Sequence, residues 1–335
     1  MAKRAAPSGR CLRREYFGNG EAVNSDRFRG VLAMVLAASI WGLSPIFYKA
    51  LAAVPPLEVL SHRTLWSFVL FGLVLAWQRR LGDLSRLLAS RRGAGTLLLA
   101  GVLISVNWFT FIFAVQIGLT VESSLGYFIF PLVAVALGYL FAGERLDRGQ
   151  TAAVALTVLA VLILSIGLGT PPWVALVVST TFGTYGLIKK FLAVGPILSV
   201  TGEVLLLLPL ALIWLYGVHF AGWTGVAARP GGYFGRDPVT TGLLVISGVI
   251  TAGPLMLFSY ATRRLRLSTV GVIQYLNPSL QFMVAVLVFG EAFTGVHAIA
   301  FALIWLALAL YSLAGLAKSP AKARSSPETS VTTDM

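Results

Sequence analysis

Very little in this chain is suited to bond-making chemistry. Its 335 residues hold one cysteine, Cys11, and three histidines, His62, His219 and His297. A lone cysteine excludes an internal disulfide, and three scattered imidazoles make no metal-ligand spacing. Charged residues make up only 12% of the chain, against about 25% in a typical soluble domain. A phosphate loop, a GxSxG elbow, an HExxH pair and paired carboxylates flanking a polar loop are all missing. The sequence therefore predicts no enzyme, no metal site and no cofactor.

Apolar residues are what the chain has in abundance. They reach 57%, with a mean hydropathy of +0.83. A bilayer core about 30 Å thick needs roughly 20 apolar residues per helix, and about ten such runs are present. They span 30–51, 56–77, 95–117, 121–142, 150–168, 172–191, 196–216, 240–260, 267–289 and 295–315. The runs are continuously apolar with no alternation at period two, so helices are preferred to a barrel. The expected fold is all-α and polytopic, with the lipid bilayer as its solvent.

A formal net charge of +13 raises the question of a nucleic-acid partner, and the placement of the charges argues against one. Basic residues gather before the first run, after the second around Arg79 to Arg92, after the fourth, at Lys189 and Lys190, at Arg263 to Arg266, and at the C-terminus. The intervening joints hold only Arg229 and Arg236, with Lys49 at a helix end. This positive-inside bias predicts an even number of spans and both termini in the cytoplasm. Residues 1–28 read as a basic, irregular cytoplasmic tail without the pattern of a cleavable signal, and 317–335 as a second disordered cytoplasmic tail. Residues 217–239 read as an irregular outer loop.

The chain also repeats itself. A shift of 147 lays Pro131 on Pro278 and the Gly143-Glu144 ending on Gly290-Glu291. Shifts of 141 and 147 also pair Trp41 with Phe182, Lys49 with Lys190, Gly101 with Gly248 and Phe111 with Phe258. With five runs in each half, 29–168 and 169–316, the second half must cross in the opposite sense, which makes an inverted repeat.

Ionisable groups inside hydrocarbon cost roughly 2.5–3.5 kcal/mol at mid-helix on insertion scales, so each one is a candidate site. The second run has Glu58, His62 and Arg63, the last about 10 Å beyond Pro56. A shift of 140 sets Arg63 on Glu203, the acidic group of the seventh run. Both are read as facing a central cavity, Arg63 attracting an anionic or carbonyl-bearing part of a solute and Glu203 taking a cation or proton. A structural ion pair or snorkelling groups are the competing reading. Asn107, Trp108 and Tyr127 offer hydrogen bonds and stacking faces for an uncharged or cationic solute, or else interhelical glue and an interface belt. Gln274, Tyr275 and Asn277 cluster before Pro278, and Pro131 and Pro278 are read as helix breaks. Glu144 and Glu291 read as structural, near the interface.

Stretches such as EVLSHRTLWS (58–67), NWFTFIFAVQIGLTVESSLGYFIFPL (107–132) and TAGPLMLFSYATRRLRLSTVGVIQYLNPSLQF (251–282) resemble the RarD group of EamA-type permeases, in the drug/metabolite transporter superfamily. The resemblance covers nearly everything from Arg29 to Leu316. It implies ten helices in two EamA repeats and movement of a small-molecule solute across the inner membrane. Family members often carry a chloramphenicol-sensitivity label, and the substrate class is poorly defined. The reading is a secondary transporter working by alternating access, with proton coupling left open. A solute sensor that does not transport and a lipid-linked flippase are the alternatives.

Overall fold

The computed structural model describes residues 10–142, 146–190, 192, 194–265 and 267–317. Its helices are α1 (Arg10–Ala50), α2 (Pro56–Trp77), α3 (Leu81–Ala89), α4 (Arg91–Ile117), α5 (Thr120–Ala142) and α6 (Arg148–Leu168). They continue as α7 (Trp173–Lys190), α8 (Pro196–Phe220), α9 (Pro238–Thr262), α10 (Leu267–Gln274), α11 (Leu276–Met283) and α12 (Gly295–Ala317). A 3₁₀ turn lies at Val226–Ala228 and a π-helical turn at Val284–Val288.

Local chemistry sets where these helices start. Pro56 and Pro196 open α2 and α8 at the position where a missing N–H loses nothing. The Ser90 hydroxyl accepts from the Gly93 N–H to cap α4, Asp147 and Gln150 form a reciprocal capping box on α6, and the Asp237 carboxylate accepts from the Thr240 N–H of α9 at 2.7 Å. Those bonds at Thr240 hold the Asp237 carboxyl below its usual range.

Among the described residues, nine helical stretches are long and apolar enough to cross a membrane. Ten runs were expected. The 172–191 run forms α7, whose 18 residues include Ser, Thr, Gly, Tyr and two Lys, and it is not one of the nine. Three other expectations are corrected. Residues 10–28, read as irregular tail, are helical and continuous with the first span. The basic joint after α2 contains α3, an amphipathic helix that tucks Leu84 against Leu75 and Leu198 while Arg86 faces out. Finally, α5 runs uninterrupted through Pro131, whereas the equivalent stretch of the second half is divided into α10, α11 and the π turn. Its break falls at Tyr275, and Pro278 sits in the first turn of α11, where a proline is tolerated. The C-terminal tail from 318, and the Glu144 reading, lie outside the described residues.

The chain divides into two units. The first comprises residues up to Pro131 and Pro172–Phe293. Within it α2 packs on α8 and α9, α1 on α9 and α11, and α4 on α7 and α8, so helices from the two sequence halves interleave. Close approach depends on small residues. A Cβ on Gly248 of α9 would collide with the backbone of Trp66 and Ser67 on α2, and one on Gly42 of α1 with Leu280 and the Asn277 carbonyl on α11. The second unit comprises Leu132–Pro171 and the segment from Thr294. There α6 packs along α12, and Gly167 fits against Val296.

Candidate solute cavity

The first unit holds a partly open cavity of about 510 Å³. Its walls are mainly apolar and rich in aromatic residues, including Trp41, Tyr48, Phe111, Phe182 and Phe258. Of the residues singled out in the sequence, Arg63, Trp108, Tyr127, Gln274 and Asn277 line it. Glu203, His62, Asn107, Tyr275, Pro131 and Pro278 are not among the lining residues.

Arg63 is 5% exposed. Its Nη1 donates to the Tyr48 hydroxyl at 2.8 Å, and its guanidinium carbon stands 3.9 Å from the centre of the Trp108 ring. The Tyr48 ring centre is 5.7 Å away. Nε has no hydrogen-bond partner, and no carboxylate among the described residues lies within ion-pair distance of the group. Trp108 was read as a stacking face for an uncharged or cationic solute, or as part of an interface belt. One face of its ring carries the protein's own Arg63 guanidinium.

Glu203 is buried beside the cavity wall, where Lys189 ion-pairs with it and the Tyr185 hydroxyl donates to its Oε2 at 3.1 Å. Lys189 also donates to the Ser199 hydroxyl. Both Tyr185 and Lys189 line the cavity. Sequence reasoning counted Lys189 among the basic residues of a joint and so missed it. The available signal was spacing, because Lys189 lies in the last turn of α7, only a few residues before α8 brings Glu203 back past it.

Asn107 is fully engaged. Its Nδ2 donates to the Val178 carbonyl at 2.9 Å and the Thr181 hydroxyl at 3.1 Å, while its Oδ1 accepts from the Tyr127 hydroxyl at 2.8 Å. One side chain thereby ties α4, α5 and α7 together and aims Tyr127 at the cavity. On α11, Gln281 Nε2 donates to Asn277 Oδ1 at 2.9 Å. The amide oxygens of Gln274 and Gln281 are buried without a partner, and both residues line the cavity.

Glu58 and His62 are four residues apart and so share a face of α2, which faces the joint after α8. The Glu58 carboxylate accepts from the backbone N–H groups of Gly232 and Tyr233 at 2.9 and 2.7 Å. One turn along, the His62 ring stacks on Phe234, with centroids 4.8 Å apart. Arg229 donates to the carbonyls of Ala52 and Ala53 and to Gln116 Oε1. The joint after α8, expected to be irregular, is thus fastened to α2 and to the α1 end at several points. Glu291, too, has a defined partner. Its carboxylate accepts from the Thr120 and Val121 N–H groups at 3.0 and 2.8 Å, capping α5.

A multi-pass helical membrane protein with an aromatic cavity among helices from both sequence halves belongs to the class that handles small solutes within the bilayer. Residues 28–166 match the model of the EamA-like transporter family. An uncharacterised transporter of Vibrio cholerae is 41% identical over 87% of this chain and 94% of its own length. Protein RarD of Streptomyces exfoliatus is 41% identical over 87% and 90%, and protein RarD of Escherichia coli 38% identical over 84% and 93%. A crystal structure 20% identical in sequence superposes with a TM-score of 0.55, covering 86% of this chain and 98% of that one, a likeness of fold. The chain belongs to the EamA-type transporters of the drug/metabolite transporter superfamily, with the RarD proteins as relatives.

Proposed function

We propose that this chain is a secondary transporter that moves a small metabolite or drug-like solute across the inner membrane by alternating access, with the 510 Å³ cavity as its solute site. The observation that carries the reading is the composition of the cavity wall: α1, α2, α4 and α5 of the first half and α7 to α11 of the second all contribute to it. A site shared between two repeats is reached from opposite sides when one repeat tilts against the other. The finer fold in this reading is ten spans in two inverted EamA repeats, 29–168 and 169–316, with α7 as the tenth span and both tails in the cytoplasm. The interleaving of the halves and the 147-residue repeat support it.

In this scheme Arg63, Trp108, Tyr127, Gln274 and Asn277 contact the solute, while Asn107 positions Tyr127. The Lys189–Glu203 pair is the place where a proton would couple to transport, because protonating Glu203 frees Lys189 beside the solute.

Reconstitution tests the proposal. Proteoliposomes containing the chain should show counterflow of a bound solute, and Arg63→Ala should lower it at least about tenfold, the loss expected for a hydrogen bond to a charged group. Glu203→Gln should lower uptake driven by a pH gradient more than counterflow. Solute binding without any counterflow would convict the protein of being a sensor instead.

A further inference from the structure

Resting on the reading of the cavity as the solute site, we infer that the solute is a small organic anion with a flat aromatic body, its carboxylate bound to Arg63, and that organic cations are rejected.

The unpaired state of Arg63 is the first argument. A guanidinium carries five N–H donors, and here Tyr48 takes one. Trp108 covers the π face at 3.9 Å, and on the N–H edge Nε is buried without a partner. A planar carboxylate is the acceptor that fits such an edge in bidentate fashion. Burying a cation with only aromatic faces and one hydroxyl for company leaves it under-compensated, and a bound anion supplies the missing counter-charge.

Charge balance around the cavity is the second. The lining contains two cations, Arg63 and Lys189, and no acidic residue. Lys189 is neutralised from behind by Glu203, so the fixed charge facing the solute is that of Arg63. A solute cation would meet this charge with no carboxylate in the lining to receive it, and one face of Trp108 already carries a cation.

The walls supply the rest of the description. Trp41, Phe111, Phe182 and Phe258 present flat apolar surfaces, and 510 Å³ lies within the range of about 300–1,000 Å³ typical of small-ligand pockets. The amide oxygens of Gln274 and Gln281 require donors, which a ring N–H or a hydroxyl on the solute would provide.

Three probes of one shape test the inference: indole-3-acetate, the neutral indole-3-acetamide and the cation tryptamine, titrated into the purified full chain in lipid nanodiscs by calorimetry and thermal shift. Indole-3-acetate should bind at least about tenfold more tightly than the acetamide, and tryptamine should not bind. Arg63→Gln should abolish the preference for acetate over acetamide, and Trp108→Leu should weaken both. Tryptamine binding as tight as acetate, equal affinities for acetate and acetamide in the unaltered chain, or no binding by any probe would each overturn the inference, whether or not the variants fold. Counterflow of radiolabelled indole-3-acetate separates this from the transport reading. Binding without counterflow defeats transport and leaves the anion class standing, whereas counterflow of tryptamine alone does the reverse.

Discussion

Arg63 and Glu203, which a shift of 140 lays on one another in the sequence, are both buried charges, yet their surroundings differ in a way that separates their roles. Glu203 has Lys189 and Tyr185, while Arg63 has aromatic faces and one hydroxyl. Removing one member of a buried pair leaves an uncompensated charge and costs about 3–5 kcal/mol, whereas replacing both by apolar groups of similar size is close to neutral. Lys189→Met should therefore lower the thermal midpoint of the purified protein markedly, and Lys189→Met combined with Glu203→Leu should restore most of it. A double variant no more stable than the single one would show that the pair is not the source of the effect. Arg63 was legible in the sequence because a charge stood about 10 Å inside an apolar run. Lys189 was not, since a lysine at the end of an apolar run looks like an anchor until the helix that follows is seen to bring a carboxylate beside it.

At the scale of elements, two carboxylates, Glu58 and Glu291, hold other segments of the chain. Glu58 binds the Gly232 and Tyr233 amides of the joint between α8 and α9. Glu58→Gln replaces one acceptor oxygen with a donor, and hydrogen exchange at those two amides should speed up about ten- to a hundredfold, as for losing a charge-assisted bond. Unchanged exchange would mean that Arg229 and the Phe234–His62 stack hold the joint by themselves. Glu291 caps α5, so Glu291→Ala should cost about 1 kcal/mol of stability, seen as a lower thermal midpoint. The repeat of Gly-Glu at 143–144 and 290–291 was visible in the sequence. That the second Glu serves the helix at the start of the first copy was not, because a cap formed across 171 residues leaves no trace in local spacing. The short helix α3 is a similar case. Its apolar Leu81, Leu84, Leu87 and Leu88 were present at helical spacing but overshadowed by five arginines nearby.

For the molecule as a whole, the uneven arginines predict which joints face the cytoplasm. With Cys11 the single cysteine, Cys11→Ser provides a clean background for labelling. Arg86 on α3 and Val226 after α8 are both exposed, and each replaced by cysteine in turn should react from opposite sides. A membrane-impermeant maleimide should label Val226→Cys on intact spheroplasts and Arg86→Cys only after permeabilisation. Labelling of Arg86→Cys from outside would overturn the proposed orientation.

Hydropathy and charge placement alone specified a helical membrane protein, because hydrocarbon leaves a chain few ways to satisfy its backbone and the energetic cost of exposing polar groups is written into every span. Repetition along the chain suggested two related halves, and the motifs pointed to the EamA transporters. The identity of each charge's partner was decided only in three dimensions. Asn107 could bond a solute or neighbouring helices, and packing of α4 against α7 gave it Val178 and Thr181. Trp108 could stack on a ligand, and the turn of α2 laid Arg63 across it. Side chains far apart in sequence compete for the same polar groups, and which of them arrives first is a property of helix packing that no single span encodes.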